Sequence, residues 1–402
     1  MPNAIKEKLV VSTLLTISIA HVLDFVLLMP LGPMLMTEFD MSAAEFGYVV
    51  SAYTFAAAFS SLVGMLWIDR IDRRMAMMLL LLGFTTGNVM CVFSDDLYFL
   101  LVARVVSGLF GGVMSSLVYS IVGQLIPLER RGRVSGLLGT AFPIVSVAGV
   151  PFGLKLADYL GWRAAFLFVV GMSVLAFTLV ILVLPKIAPD SEKGKGFTAP
   201  LIEIWQYRPH RLGAFLILLV VLGGFTIVPY IAPFLINNGY ILSSQLYLVY
   251  LFGGACSILS ARAVGVISDR FGVARTLRVV LLLAMLALAV FTNLPKVPLP
   301  LVILVTSCLM MFLPARYICI MAWQTVICLP KTRGSYMSLI STVQQSAVGL
   351  ASLIGGALVG ESASGEISTY WLAGGFAISI NLVIFGLVPK IRQLEIKLGK
   401  VS

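Results

Sequence analysis

The chain has 402 residues, 59% of them hydrophobic and 11% charged, with a formal net charge of +10. A soluble domain carries about 25% charged residues, so water is not the main solvent of these side chains. The two histidines and five cysteines show no zinc spacing, and neither a Walker loop nor a Gly-x-Ser-x-Gly elbow occurs, so no metal, no cofactor and no enzyme or ATP-driven pump is expected. Cys91, Cys256, Cys308, Cys319 and Cys328 all fall in apolar runs and read as small buried hydrophobes.

In chain order, the apolar runs predict helices over residues 10–36, 44–67, 75–93, 97–125, 134–157, 163–185, 211–236, 244–267, 276–294, 298–328, 335–360 and 368–388. Each is long enough to cross the roughly 30 Å of hydrocarbon in a bilayer. The first contains Asp24 and two prolines and precedes no small-residue cleavage site, so it is expected to remain as a membrane helix. Between the sixth and seventh lies the longest polar stretch. The predicted organisation is a six-helix bundle over residues 1–185, a cytoplasmic linker over 186–210 and a second six-helix bundle over 211–402.

Lys and Arg are retained on the cytoplasmic side during insertion. With the N-terminus placed there, all but five of the 28 basic residues fall in cytoplasmic segments or at their helix ends; Lys155, Arg163 and Lys296 fall outside, while Arg104 and Arg316 lie within spans. Both termini are therefore expected in the cytoplasm of a multi-pass protein of the bacterial inner membrane. The positive charge is explained by topology and by the anionic inner leaflet, so the expected partners are the lipid bilayer, protons and a small-molecule substrate, with no nucleic acid. The chain is expected to be a monomer.

Features recur at an offset of about 200 residues. Asp69-Arg70-Ile71-Asp72-Arg73-Arg74 follows the second span and Asp269-Arg270-Phe271-Gly272 the eighth; Pro33 matches Pro233, and Arg131-Gly132 matches Arg333-Gly334. Such a repeat at six plus six spans is the signature of two parallel halves.

Gly265-Val266-Ile267-Ser268-Asp269-Arg270-Phe271-Gly272 resembles the G-x-x-x-D-R-x-G loop of the major facilitator superfamily, and the first copy keeps Asp-Arg but has Asp72 at the second glycine's place. Arg104-Val105-Val106-Ser107-Gly108 is similar to that family's R-x-x-x-G motif. Gly149-Val150-Pro151-Phe152-Gly153, followed by Gly161-Trp162-Arg163, resembles the fifth-helix antiporter motif of bacterial drug and sugar exporters, in a shorter form. The stretch from Asp24-Phe25 to Pro33 resembles the first helix of the twelve-span drug:proton antiporter branch. The resemblance implies an all-α membrane fold of two six-helix bundles and alternating-access transport, with Arg104 associated with proton coupling and a multidrug efflux role. The expected function is proton-coupled export of a small molecule; import or facilitated passage of an organic anion, sugar or other metabolite is the alternative, and a transporter-fold sensor or scaffold is a third reading.

A charge at the bilayer centre costs about 2.5–3.5 kcal/mol on insertion scales, which marks Asp24, Arg104 and Arg316 as candidates. Asp24 can exchange a proton, bind a cation or pair with Arg104. His21, three residues earlier on the same face, either shares that proton or is satisfied by a backbone carbonyl. Arg316, two residues after Pro314, meets either freed carbonyls or a substrate anion. Tyr53, Phe142, Phe225, Tyr230, Trp323, Gln324, Gln344 and Gln345 are further candidates for a substrate cavity between the halves, with Pro30, Pro33, Pro229 and Pro233 bending spans around it. Gly108, Gly112, Gly149, Pro151 and Gly153 are expected at close helix contacts, those of span five at the interface between halves. Asp69, Arg70, Arg73, Asp269 and Arg270 are expected to form a cytoplasmic gate. The second half offers Arg316 but no carboxylate within its predicted spans.

A reporter fused after Ser402 tests the orientation: a fluorescent protein is expected to fluoresce and alkaline phosphatase to be inactive, and the reverse pattern would invert the topology.

Overall fold

Backbone N–H and C=O groups find no water in hydrocarbon, so an apolar chain of this kind closes its hydrogen bonds within helices. The computed structural model describes residues 4–67, 71–187, 205–329, 333–362 and 365–397. Twelve helical segments within it are long and apolar enough to cross a membrane. Spans one to six are Glu7–Leu28, Ala43–Gly64, Arg73–Val92, Leu97–Leu125, Glu129–Leu160 and Trp162–Val183; spans seven to twelve are Arg208–Asn237, Ser243–Phe271, Val273–Thr292, Leu299–Ile327, Ser335–Leu358 and Tyr370–Ile396. The chain divides into two compact units, Met1–Met41 with Tyr48–Gly196, and Ser42–Gly47 with Phe197–Ser402.

The proline pairs interrupt their helices at matching places. In the first unit the helix ends at Leu28, and a short helix Gly32–Glu38 resumes with Pro33 near its start. In the second unit the helix ends at Phe225, a 3-10 turn Val228–Tyr230 holds Pro229, and Ile231–Asn237 follows. Proline lacks the N–H that an interior helical position needs, so the ladder breaks where the pairs fall.

Serine clamps recur as well. The hydroxyl of Ser60 bonds the carbonyl of Leu109 and that of Ser61 the carbonyl of Gly112 at 2.9 Å, joining spans two and four. Ser260 bonds the Met311 carbonyl at 2.9 Å and Ser257 that of Met310 at 2.6 Å, joining spans eight and ten. Ser60 and Ser260 lie 200 residues apart, so the repeat extends to the side chains that fasten these helices where no hydrophobic effect drives them together.

A third correspondence lies at the loop motifs. Asp72 caps the third span by accepting from the Met75 N–H at 2.9 Å, while its other oxygen accepts from the Ile187 N–H at 2.7 Å; the Arg73 N–H donates to the Ile187 carbonyl. The residue that departs from the glycine pattern thus ties the third span to the chain leaving the sixth. In the second unit Gly272 stands at that place with φ +84°, a conformation suited to glycine. There the carboxylate comes from the other strand of the contact: Glu395 accepts from the N–H groups of Val273 and Ala274 at 3.1 and 3.3 Å. Span twelve runs to Ile396, eight residues beyond the sequence expectation, so the second half does hold a carboxylate within a span, and it is buried.

Arg163, after the antiporter-like stretch, gathers the other end of the first unit. It donates to the carbonyls of Val92 and Ser94 and to Glu38 and Asp95, with the Trp162 ring 4.5 Å from its guanidinium carbon. Span five itself contains a π-helical turn, Val145–Gly149, just before Pro151. Gly149 and Gly153 face Leu23 and Leu27 of span one, where a Cβ would lie 2.9 and 2.8 Å from leucine carbons. That close contact lies inside the first unit.

Asp72→Ala removes a helix cap and a second bond, each worth about 1 kcal/mol. A loss of about 1–2 kcal/mol in denaturant unfolding is expected, with Asp72→Asn intermediate because it keeps an acceptor for one of the two N–H groups.

Candidate functional site

The C-terminal half of span one carries two ionisable side chains, His21 and Asp24, which lie three residues apart and so share a face. Span four turns Arg104, Ser107, Gly108, Gly111 and Gly112 inward, all buried or nearly so. The carboxylate and guanidinium meet: Arg104 Nη1 lies 2.7 Å from Asp24 Oδ1, and neither side chain is exposed. Asp24 Oδ2 and Arg104 Nε and Nη2 have no nitrogen or oxygen partner among the described residues. The two members of the pair are therefore joined by one charge-assisted bond.

Span two supplies the rest. The ring of Tyr53, itself 1% exposed, lies 4.5 Å from the Arg104 guanidinium carbon, and its hydroxyl is 3.3 Å from His21 Nδ1. Phe25 and Phe84 stand beside this group, 6.2 Å from the Tyr53 ring and 6.3 Å from the His21 ring. The approach depends on glycines of span four. A Cβ on Gly108 would sit 2.2 Å from the Tyr53 carbonyl oxygen, one on Gly112 2.3 Å from that of Ala57, and one on Gly111 2.6 Å from the Tyr53 hydroxyl. Cys91 of span three adjoins Arg104 and Ser107. It is fully buried, as its place in an apolar run implies, and nothing in its local sequence sets it apart from the other four cysteines.

Chemically, the pair is neutral when both members are charged. Protonation of Asp24 leaves a net positive charge in a dry interior, which costs energy that a change of arrangement can relieve. That is the elementary requirement for coupling a proton to a conformational change.

The candidates of the second unit form separate groups. Arg316 is 1% exposed and donates from Nε to the Leu313 carbonyl at 3.2 Å and from Nη1 to Asn381 Oδ1, with no carboxylate bonded to it among the described residues. Asn381, an amide in the middle of span twelve, is a residue that the polarity argument alone could have flagged. Tyr317 donates to Gln344 at 2.8 Å, and Gln344 and Gln345 are half-buried. Trp323 and Gln324 are fully buried; Gln324 bonds the Gly213 carbonyl at 2.7 Å and receives the Tyr336 hydroxyl, which is part of a group where Tyr336 stacks on His210 at 4.0 Å. Tyr230 is fully buried and donates to the Ser352 carbonyl at 2.6 Å. Phe225 is half-buried, and Phe142 of span five is 46% exposed.

Of the gate candidates, Asp69 and Arg70 lie outside the described residues. Arg73 is buried and donates to the Ser120 hydroxyl at 2.8 Å, whereas Asp269 and Arg270 are exposed, the latter 5.3 Å from the Phe271 ring.

A family model described as Major Facilitator Superfamily matches residues 14–351. A probable sugar efflux transporter of Helicobacter pylori is 26% identical over 239 residues, 58% of this chain and 60% of that protein. One of Haemophilus influenzae is 26% identical over 230 residues, 56% of this chain and 57% of that one. The match thus spans about 60% of the length of these curated relatives. Among solved structures, the nucleoside transporter NupG superposes with a TM-score of 0.76 at 12% identity, covering 95% of this chain and 99% of that chain. A D-xylose-proton symporter does so with a TM-score of 0.73 at 14% identity, covering 95% and 98%. At these identities the structures speak for the fold.

Gly111→Ala forces the Tyr53 hydroxyl or its neighbours to move and is expected to cost about 1–3 kcal/mol of stability, as overpacked cores do. Gly123→Ala, on the same helix with nothing within 4 Å of the added carbon, is expected to be neutral or stabilising. Thermal unfolding of the two purified variants checks the contrast.

Proposed function

Because the chain belongs to the Major Facilitator Superfamily, we propose that it is a proton-coupled antiporter that exports a sugar or similar small polyhydroxyl compound by alternating access across the bacterial inner membrane, with both termini in the cytoplasm. The observation that carries this reading is the fully buried Asp24–Arg104 pair at 2.7 Å. A carboxylate whose protonation leaves its arginine partner without a counter-charge suits a coupling element, and a purely structural role is the weaker account, since replacing a buried ion pair by apolar packing is often neutral or stabilising. The relatives named as sugar efflux transporters support the substrate class and the direction.

In this proposal Asp24 carries the proton, Arg104 balances its charge, and His21, half-buried and in contact with Tyr53, lies on the proton's route. The half-buried amides of Gln344 and Gln345 and the Tyr317 hydroxyl suit the donors and acceptors of a polyhydroxyl substrate. Asp269 and Arg270 remain proposed as part of a cytoplasmic gate, and the two bundles as the moving bodies. One charge crossing a potential of 100 mV releases about 2.3 kcal/mol, enough for roughly fifty-fold accumulation, so no ATP is needed.

A second reading rests on Arg316, whose bonded partners are neutral: it would serve an organic anion. One assay separates the two. In proteoliposomes given a panel of labelled monosaccharides and sugar acids, Asp24→Asn is expected to reduce gradient-driven transport of a neutral sugar at least ten-fold while sparing exchange at equal pH. Undiminished gradient-driven transport would refute the proton role. Loss of sugar-acid transport in Arg316→Gln, with Asp24→Asn unaffected, would favour the second reading.

A further inference from the structure

Tyr53 stood in the sequence as a candidate for the substrate cavity, but its surroundings give it different work. It is 1% exposed, so it presents no surface to a substrate. Its two functional parts point at two titratable partners: the ring at Arg104, 4.5 Å from the guanidinium carbon, and the hydroxyl at His21 Nδ1, 3.3 Å away. Glycines of span four make room for it, Gly108 against its backbone carbonyl and Gly111 against its hydroxyl. Spans one, two and four therefore meet at this one side chain.

Arg104 makes one hydrogen bond to a charged partner, Asp24. The titratable groups facing Asp24 are Arg104 of span four, His21 of its own span and Tyr53 of span two, with Cys91 of span three adjoining. None but Arg104 is a permanent cation. Once Asp24 is protonated, the guanidinium loses its counter-charge, and it still touches the electron-rich face of the Tyr53 ring, with Cys91 adjoining. A cation over an aromatic face is attracted most strongly when both are shielded from water, which is the condition here.

We propose that Tyr53 is a positioning residue of the coupling site, holding Arg104 in place while Asp24 is protonated and linking the state of that pair to His21 through its hydroxyl. The inference rests on the reading of Asp24 as the proton carrier, and it goes further by giving the protonated state a defined partner for Arg104. It also explains why span four carries Gly111, where a larger residue would press on the Tyr53 hydroxyl and the His21 ring.

A double-mutant cycle tests it. Asp24→Asn stands in for the protonated carboxylate, and Tyr53→Phe and Tyr53→Leu divide the tyrosine into ring and hydroxyl. In thermal unfolding of the purified full chain, Tyr53→Leu is expected to lower Tm at least twice as far in the Asp24→Asn background as in the parent, and Tyr53→Phe to restore most of that loss. A tyrosine that merely fills space lowers Tm equally in both backgrounds, since independent effects add; equal shifts, or phenylalanine as damaging as leucine, would overturn the proposal. Tyr53→Met, nearer in length, repeats the cycle if the leucine double variant does not purify. The transport role of Asp24 is read separately, from the single Asp24→Asn variant in the gradient assay. Loss of coupling in the cycle with an intact gradient response, and the converse, are therefore distinguishable.

Discussion

Two opposite charges inside a membrane protein have to be placed within bonding distance of each other, because either one alone is costly there. In the first unit this requirement brings span one and span four together at the height of Asp24 and Arg104. Three glycines follow from it. Gly108, Gly111 and Gly112 thin span four on the side that faces span two, and Tyr53 and Ala57 fill the space released. Gly149 and Gly153 of span five do the same for Leu23 and Leu27 of span one. The first unit is organised around keeping one carboxylate dry, paired and aligned.

The second unit shares the scaffold and not the pair. Proline breaks, serine-to-carbonyl clamps and a carboxylate tie at the loop motif recur in both, at matching places along the repeat. What differs is instructive. At the loop, the first unit carries the carboxylate on the loop itself as Asp72, whereas the second keeps glycine there and brings Glu395 from the far end of its last span. The same contact is made with donor and acceptor exchanged, so a departure from a motif in one half is matched by a compensating residue in the other. In the membrane interior the exchange is not compensated: Arg316 meets an amide where Arg104 meets a carboxylate. Arg316, whose bonded partners are neutral, thus offers no counterpart of the Asp24–Arg104 pair.

Membership of the Major Facilitator Superfamily accounts for the architecture. It leaves the cargo to local chemistry, because a fold of this kind hosts many substrates. The Tyr317 hydroxyl and the Gln344 amide, on spans ten and eleven, are neutral, while Arg104 is paired and Arg316 is buried among neutral partners.

Much of this was legible in the amino-acid order. Twelve apolar runs, the distribution of Lys and Arg and the offset of about 200 residues each depend on local composition, and membrane insertion acts on local composition. Asp24 and Arg104 were legible too, because a charge in an apolar run is conspicuous by itself. Their meeting was one of the alternatives left open, since 80 positions separate them and only helix packing decides which faces touch. The same holds for Tyr53, Trp323 and Gln324: an aromatic or amide in a span looks alike whether it lines a cavity or closes a core, and burial is a property of neighbours. Asp72 could be seen as a departure from a glycine pattern, but its partner Ile187 lies 115 residues away at the edge of the linker. Sequence by itself determined the spans, their repeat and the costly charges, because those follow from the transfer of each segment into lipid. Tertiary structure decided which of those charges pair, which polar residues are sealed and which glycines admit them, because those follow from contacts between helices far apart in the chain.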